Sequence, residues 1–342
     1  VEGFTITNGA TTSCGGGMRF DGSSPTISNC VLTGNMADGG GGGACCTTLS
    51  SPTFIECTFS GNHASSGGGV ACSGGSDPNF DSCTFLTNTA GNFGGGVNLD
   101  GASADFAACT FESNGVTDTS SRGGGLAVTD GSTATLYDCL FDGNGAPGYG
   151  GAVYIATNVS DATLTSVDFT GNTADYGAAV AITNENEPLF DWCHFRENTA
   201  DHAGGAVHSS DGSIPTFVEC TFDSNTAGDT GGAMHFDWFS TPVLDNCTLY
   251  GNAAPTGGGV WCDDNFTLEN CILAFNSMGG AVHCDGDAPY VTCSDIYGNN
   301  GGDWVGCLEG LDSVDNNFSE DPLFCDFGEG DFTIDVASPC TA

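Results

Sequence analysis

The chain repeats one phrase almost from end to end. Its clearest copy runs from Pro52 to Cys72 and reads P-T-F-I-E-C-T-F-S-G-N-H-A-S-S-G-G-G-V-A-C. A Cys-x-apolar-x-x-Asn core recurs as Cys30/Leu32/Asn35, Cys57/Phe59/Asn62, Cys83/Phe85/Asn88, Cys109/Phe111/Asn114 and Cys139/Phe141/Asn144. It continues as Cys193/Phe195/Asn198, Cys220/Phe222/Asn225, Cys247/Leu249/Asn252 and Cys271/Leu273/Asn276, and Val167/Phe169/Asn172 is a copy without the thiol. A period of about 26 residues, with no heptad or helix-pair pattern, marks a solenoid whose unit is a coil of short strands. Repetition over residues 1–300 implies one elongated body, and 301–342 reads as a non-repetitive C-terminal coil or cap.

Within one coil, residues two apart share a strand face, so Cys57 with Phe59, and Val70 with Cys72, point inward together. Three strands per coil are expected, around Phe54, Cys57–Phe59 and Val70–Cys72. Parallel stacking sets equivalent residues about 4.8 Å apart and turns each slot into a column. The asparagines from Asn35 to Asn276 recur at a turn. There they either ladder amide to amide or simply tolerate a left-handed backbone. The Gly-Gly-Gly/Ala slots (Gly67–Gly69, Gly94–Gly96, Gly150–Ala152, Gly231–Ala233) mark a bend that needs positive φ or close backbone approach. No helix and no lysine follows them, which separates them from phosphate-binding loops.

Charge excludes some functions. The chain has three basic residues, Arg19, Arg122 and Arg196, no lysine, and a formal net charge of -40. Such a surface repels nucleic acid and anionic membranes and attracts cations. No stretch is apolar for long enough to span a bilayer, so direct membrane insertion is not expected. Acidity, absent lysine and 19 cysteines point to an extracellular or cell-surface setting. The first residues already read as mid-coil, so either upstream sequence or head-to-tail stacking with a second copy is expected there.

The repeats, with F-x-x-N and G-G-[AG]-[VILM] in each coil, resemble those of the polymorphic outer membrane protein type and of secreted bacterial right-handed parallel β-helix proteins. The ending D-I-Y-G-N-N-G-G-D-W, then D-P-L-F-C-D through S-P-C, is similar to the way such helices close. The resemblance implies an all-β, single-stranded right-handed parallel β-helix of about 11–12 coils of roughly 26 residues. It also implies bacterial export, and no single activity, because this fold carries adhesins, lyases, hydrolases and structural rods. The membrane-barrel segment of the outer-membrane type has no counterpart here. Lyases of this fold use arginine or lysine against an acidic substrate, whereas here the arginines lie on distant coils. Arg196, beside Trp192 and His194, is the one basic spot in aromatic company.

The main cysteine column is expected to hold free, buried thiols that act as small hydrophobes. Two pairs on adjacent coils, Cys45 with Cys72 and Cys262 with Cys284, are disulfide candidates, and Cys307, Cys325 and Cys340 are candidate staples of the end region.

One stripe departs from the repeat. The residue after the G-G-A-V slot faces outward and reads Tyr154, Ala181, His208, His235, Trp261, His283. Two positions on come Ser210, Asp237, Asp263 and Asp285, with Trp238 and Asp264 nearby. Three readings follow: solvated surface; a carbohydrate platform of His208, His235, Trp261, His283 and Trp238; or a divalent-cation site. For the cation, calcium on Asp237, Asp263, Asp264 and Asp285 is preferred to zinc on the imidazoles. Carboxylates one and two rungs apart also bracket glycosidase spacings. Threonines such as Thr58, Thr84 and Thr110 form no sustained paired rows, which sets an ice-binding face aside. The reading adopted is a non-enzymatic extracellular rod (stalk, adhesin shaft or fibre subunit) that needs no cofactor and has itself or surface glycans as partner. The alternative is a carbohydrate-binding or glycoside-hydrolysing protein.

Overall fold

The computed structural model describes residues 1–156, 162–237, 239–326 and 331–341. Short strands stack in register into four parallel sheets of 11, 12, 9 and 11 strands. They are numbered here by their order within one coil. Sheet I holds Thr53–Ile55, sheet II Thr58–Ser60, sheet III His63–Ser66 and sheet IV Val70–Ser73. A coil therefore has four strands rather than three. Sheet III escapes the apolar pattern because it turns only one small residue inward per coil, such as Ala37, Ala64 or Ala90.

The core is a set of columns. Phe54, Phe80 and Phe106 stack face to face at 5.1 and 4.9 Å on sheet I. Phe59, Phe85, Phe111 and Phe141 do the same at 5.0, 4.6 and 4.4 Å on sheet II. The two columns meet edge to face, as at Phe54–Phe59, 5.3 Å. Offset stacking and edge contacts are the arrangements a ring quadrupole prefers. No single coil can bury these rings. Stacking does.

Asparagine fixes the register. Asn62 donates from its backbone N (3.1 Å) and from Nδ2 (3.0 Å) to Asn88 Oδ1, and its Nδ2 also reaches the Leu32 carbonyl (2.8 Å). The pattern runs without a break from Asn35 to Asn299, where the Asp303 carboxylate accepts the last amide at 2.8 Å. The left-handed corner residue is the one before each asparagine, such as Gly61, Thr87 or Ser113. The asparagine itself is chosen for its amide. A second left-handed column is the first glycine of each Gly slot. Gly94 has φ +59, and a Cβ there would lie 2.1 Å from the Val97 carbonyl, so only glycine fits this bend between sheets III and IV.

The main cysteine column is free and buried from Cys30 to Cys271. Each thiol bonds carbonyls of its own and the preceding coil, as Cys83 does to Asp81 and Phe54 at 3.5 Å each. Burial, reinforced by neighbouring Cys220, pushes the Cys193 thiol up, which keeps it protonated and inert. The disulfide pairs differ from those expected. Cys45 joins Cys14, and Cys284 joins Cys307. The Cys45-Cys46 doublet shifts the count: Cys72 aligns with Cys46, so Cys46 is the inward residue and Cys45 points out. Cys262 and Cys72 are buried and free, Cys325 is exposed and free, and Cys340 is free, its Sγ donating to Asp295 Oδ2 at 3.4 Å.

Coil pairing ends at the Asp295–Phe318 bridge. Beyond it the chain folds back as an antiparallel pair, Phe324–Asp326 with Asp331–Ile334. Phe324 and Phe332 pack on Tyr250 of sheet II at 5.7 and 5.1 Å. The Phe324–Asp326 and Asp331–Ile334 strands thus lie against the side of the stack. Among the described residues no helix is long and apolar enough to cross a membrane.

Asn88→Ala strips buried partners from Asn62 and from the Phe59 carbonyl. Each orphaned group costs about 1–3 kcal/mol, so a loss of about 3 kcal/mol is expected from denaturant midpoints. The exposed control Glu112→Ala is expected to stay within about 0.5 kcal/mol. Equal effects would mean that the ladder carries no weight.

Candidate functional site

The bend at each left-handed glycine folds the end of sheet III over the outer face of sheet IV. Two rows of side chains face each other across it. The wall row precedes the glycine and aligns Ser66, Phe93, Arg122, Tyr149, Tyr176, Ala203, Thr230 and Thr256. The floor row aligns Ala71, Asn98, Ala127, Tyr154, Ala181, His208, His235, Trp261 and His283. Phe93 and Tyr149 of the wall pack on Tyr154 and Ala181 of the floor, and Tyr149 and Tyr176 reach His208.

At the N-terminal end the rows enclose a cleft of about 520 Å³, lined among others by Phe93, Asn98, Asp100, Arg122, Asp130 and Tyr154. The Cys14–Cys45 disulfide ties wall to floor at one end of it. Arg122 lies over the Tyr149 and Tyr154 rings, 5.5 and 5.1 Å from their centroids, and donates to Tyr154 Oη at 3.0 Å. Its Nε, and Asn98 Oδ1, are buried with no hydrogen-bond partner among the described residues. Desolvation on the cleft floor, a hydrogen bond to the Asp130 carboxyl and their mutual repulsion together raise the Asp100 carboxyl above its ordinary value.

At the C-terminal end the rings form one continuous pile. Tyr149 stacks on Tyr176 at 4.9 Å, and Tyr176 meets His208 edge-on at 5.4 Å. His208 then stacks on His235 at 5.1 Å, and His235 on Trp261 at 4.1 Å. His208 and His235 are 4% and 8% exposed, so this part of the stripe is not the solvated surface expected of it. It faces away from the core, yet the tyrosine wall covers it. The His208 and His235 ring faces point along the axis and are covered by their neighbours, leaving edges, not faces, of these two for a sugar ring.

Asp237 sits between the imidazoles, with Oδ2 3.6 Å from His208 Nε2 and 3.5 Å from His235 Nε2. Burial works against ionising Asp237, but the two imidazoles outweigh it and bring the carboxyl to about 2. Burial lowers His235, against the pull of Asp237. Among the described residues His208, His235 and Asp237 are the one trio of such groups with ligand atoms within 4.8 Å of one another. Asp263, Asp264 and Asp285 do not join it, so the carboxylate set expected for calcium does not converge. His283 is exposed and pairs with Asp285 at 3.1 Å. Trp238 lies outside the described residues. Arg196 contacts the acids Glu197 and Asp223, at 3.2 and 3.5 Å.

The apolar repeat marks neither the wall row nor the place of Arg122 in it. The available signal was an aromatic directly before the Gly slot in three coils (Phe93, Tyr149, Tyr176) and an arginine in a fourth.

The family described as right handed beta helix region matches residues 1–164 and 151–318. The chain belongs to the right-handed β-helix family. The match ends where coil pairing ends, at Phe318. Compared with curated proteins and with solved structures, the β-helix has no match.

The raised Asp100 carboxyl has a readable consequence. Over a window above the ordinary carboxylate value, about 4, the folded β-helix holds a proton that the unfolded chain has lost. This stabilisation is complete below that value and disappears as pH rises through the folded one. Asp100→Asn is therefore expected to melt above wild type at pH 7 and level with it at pH 3.5. A difference that does not change with pH would contradict the shared proton.

Proposed function

We propose that this right-handed β-helix is a rigid, non-enzymatic rod of an extracellular or cell-surface protein, a stalk or shaft whose length and stiffness are its use. The observation that carries this reading is the unbroken amide ladder from Asn35 to Asn299, which holds every coil to its neighbour. The two disulfides, one towards each end of the stack, support an oxidising compartment. So does the charge of -40 with no lysine, which suits a molecule kept soluble and apart from anionic surfaces. The likeness to repeats of the polymorphic outer membrane protein type agrees with display at a bacterial surface.

One observation favours a second reading, a carbohydrate-binding cleft on coils around Asn98 and Tyr154. The orphaned Asn98 Oδ1 and Arg122 Nε lie beside Phe93 and Tyr154, a polar–aromatic lining that hydroxyl-bearing rings satisfy. On this second reading the glycan would bind at the opposite end of the trough from the histidines.

Deleting residues 58–167 separates the readings. Thr58, Thr84, Thr110, Leu140 and Asp168 are successive register partners, so joining Cys57 to Asp168 removes four whole coils, with Phe93, Asn98, Arg122 and Tyr154 of the cleft. The rod reading expects a folded chain shorter by about 19 Å in small-angle scattering, at about 4.8 Å per rung. It also expects any glycan-array signal to be the same for both chains. Glycan binding by the intact chain that vanishes on deletion would replace the rod with the cleft.

A further inference from the structure

We infer that His208, His235 and Asp237 bind a first-row transition-metal ion of the zinc class, which clamps two successive coils on the outer face of sheet IV. His208 comes from one coil and His235 with Asp237 from the next, so one ion would cross-link the stack where the wall row has shrunk to Ala203 and Thr230. This is independent of the rod and cleft readings.

Three observations carry it. The first is spacing. Separations of 3.6 and 3.5 Å between Asp237 Oδ2 and the two Nε2 atoms are too long for good charge-assisted hydrogen bonds, which lie near 2.7–2.9 Å. They are close to the edge of a tetrahedron, about 3.3 Å, drawn by ligands about 2.0–2.1 Å from a zinc ion. The second is burial. The His208, His235 and Asp237 side chains are 5%, 10% and 19% exposed, so the facing Nε2 and Oδ2 atoms have little water to bond instead. Buried imidazoles and a half-buried carboxylate set at this distance are held together at a cost that an ion between them would offset.

The third observation is the support around the trio. Thr230 Oγ1 lies 2.9 Å from His235 Nδ1. When Nδ1–H donates to it, the Nε2 lone pair is left facing Asp237, the outer-shell arrangement typical of metal-bound histidine. The ring pile from Tyr176 to Trp261 holds both imidazoles in place. Two imidazoles and one carboxylate suit zinc, cobalt or nickel, and they leave a fourth position for water. Calcium asks for six to eight oxygens and finds one carboxylate here.

The test is titration of the whole chain with Co²⁺, read by visible absorption, followed by displacement with Zn²⁺ and by melting with and without Zn²⁺. One equivalent is expected, with weak ligand-field bands, a midpoint that rises with free zinc, and no response to Ca²⁺. His208→Phe keeps the ring pile, and Asp237→Asn keeps the shape. Each is expected to weaken binding by more than about 100-fold, beyond the roughly 10–100-fold that an outer-shell loss such as Thr230→Val brings. His283→Ala is expected to leave binding unchanged. Four results would overturn the site: no binding by wild type, binding unaltered in folded His208→Phe or Asp237→Asn, an equal response to Ca²⁺, or strong near-ultraviolet charge transfer, which would place the ion on thiolates.

Discussion

A buried amide bonded to the same amide one coil away is the interaction on which this structure rests. Hydrophobic columns alone are permissive, because a phenylalanine stack such as Phe59, Phe85 and Phe111 slides along itself at small cost. The asparagine ladder is not permissive. Asn62 finds its acceptors only when Asn88 lies directly beyond it, and a slip by one residue would strand several buried polar groups at once. Register is thereby set in every coil, and the aromatic columns, the thiol column and the left-handed corners fall into line behind it.

From that register the trough follows. The left-handed glycine turns the chain so sharply that the residue before it overhangs the strand after it. Wall and floor then share one space: Phe93 and Tyr149 pack on the floor cluster of Tyr154 and Ala181, and Tyr149 and Tyr176 reach His208, beside the small Ala203. His208 is buried because Tyr176 and Tyr149, one and two coils back, lean across it, and His235 because it lies between His208 and Trp261. The Arg122 cluster is brought there by a long coil, 30 residues between Asn114 and Asn144, whose extra residues precede the glycine bend. A surface feature is thus built from the same repeat that builds the core.

Much of the fold was legible from the repeating phrase, since each column has one chemical reason that a reader can name. The rest is hidden where one residue has two readings. Ala64 and its equivalents are too small to announce sheet III as a strand. Asparagine suits both a left-handed corner and an amide ladder, and only coordinates assign the corner to Gly61 and its equivalents. The Cys45-Cys46 doublet hides which thiol faces inward: Cys46 takes the inward slot beside Cys72, and Cys45 pairs with Cys14 of the preceding coil. At the site, alternation placed His208, His235 and Trp261 on the outer face correctly, but facing outward was equated with being exposed. Nothing in a single strand shows that Tyr149 and Tyr176, from the next sheet over, close above it. Asp237 was grouped with Asp263 and Asp285 by position, whereas its chemistry belongs with the imidazoles.

The acidic exterior and the dry interior are complementary parts of one design. Side chains that repel one another face water, and nearly all cohesion between coils is left to backbone ladders, stacked rings and the amide column. The central claim is that this column holds adjacent coils in register. Native-state hydrogen exchange at the backbone amides of Asn62, Asn88, Asn114 and Asn144 tests it most directly. The account predicts that these amides exchange together and among the slowest in the chain, at the rate of global opening. Exchange at the rate of the exposed corners beside them would contradict it.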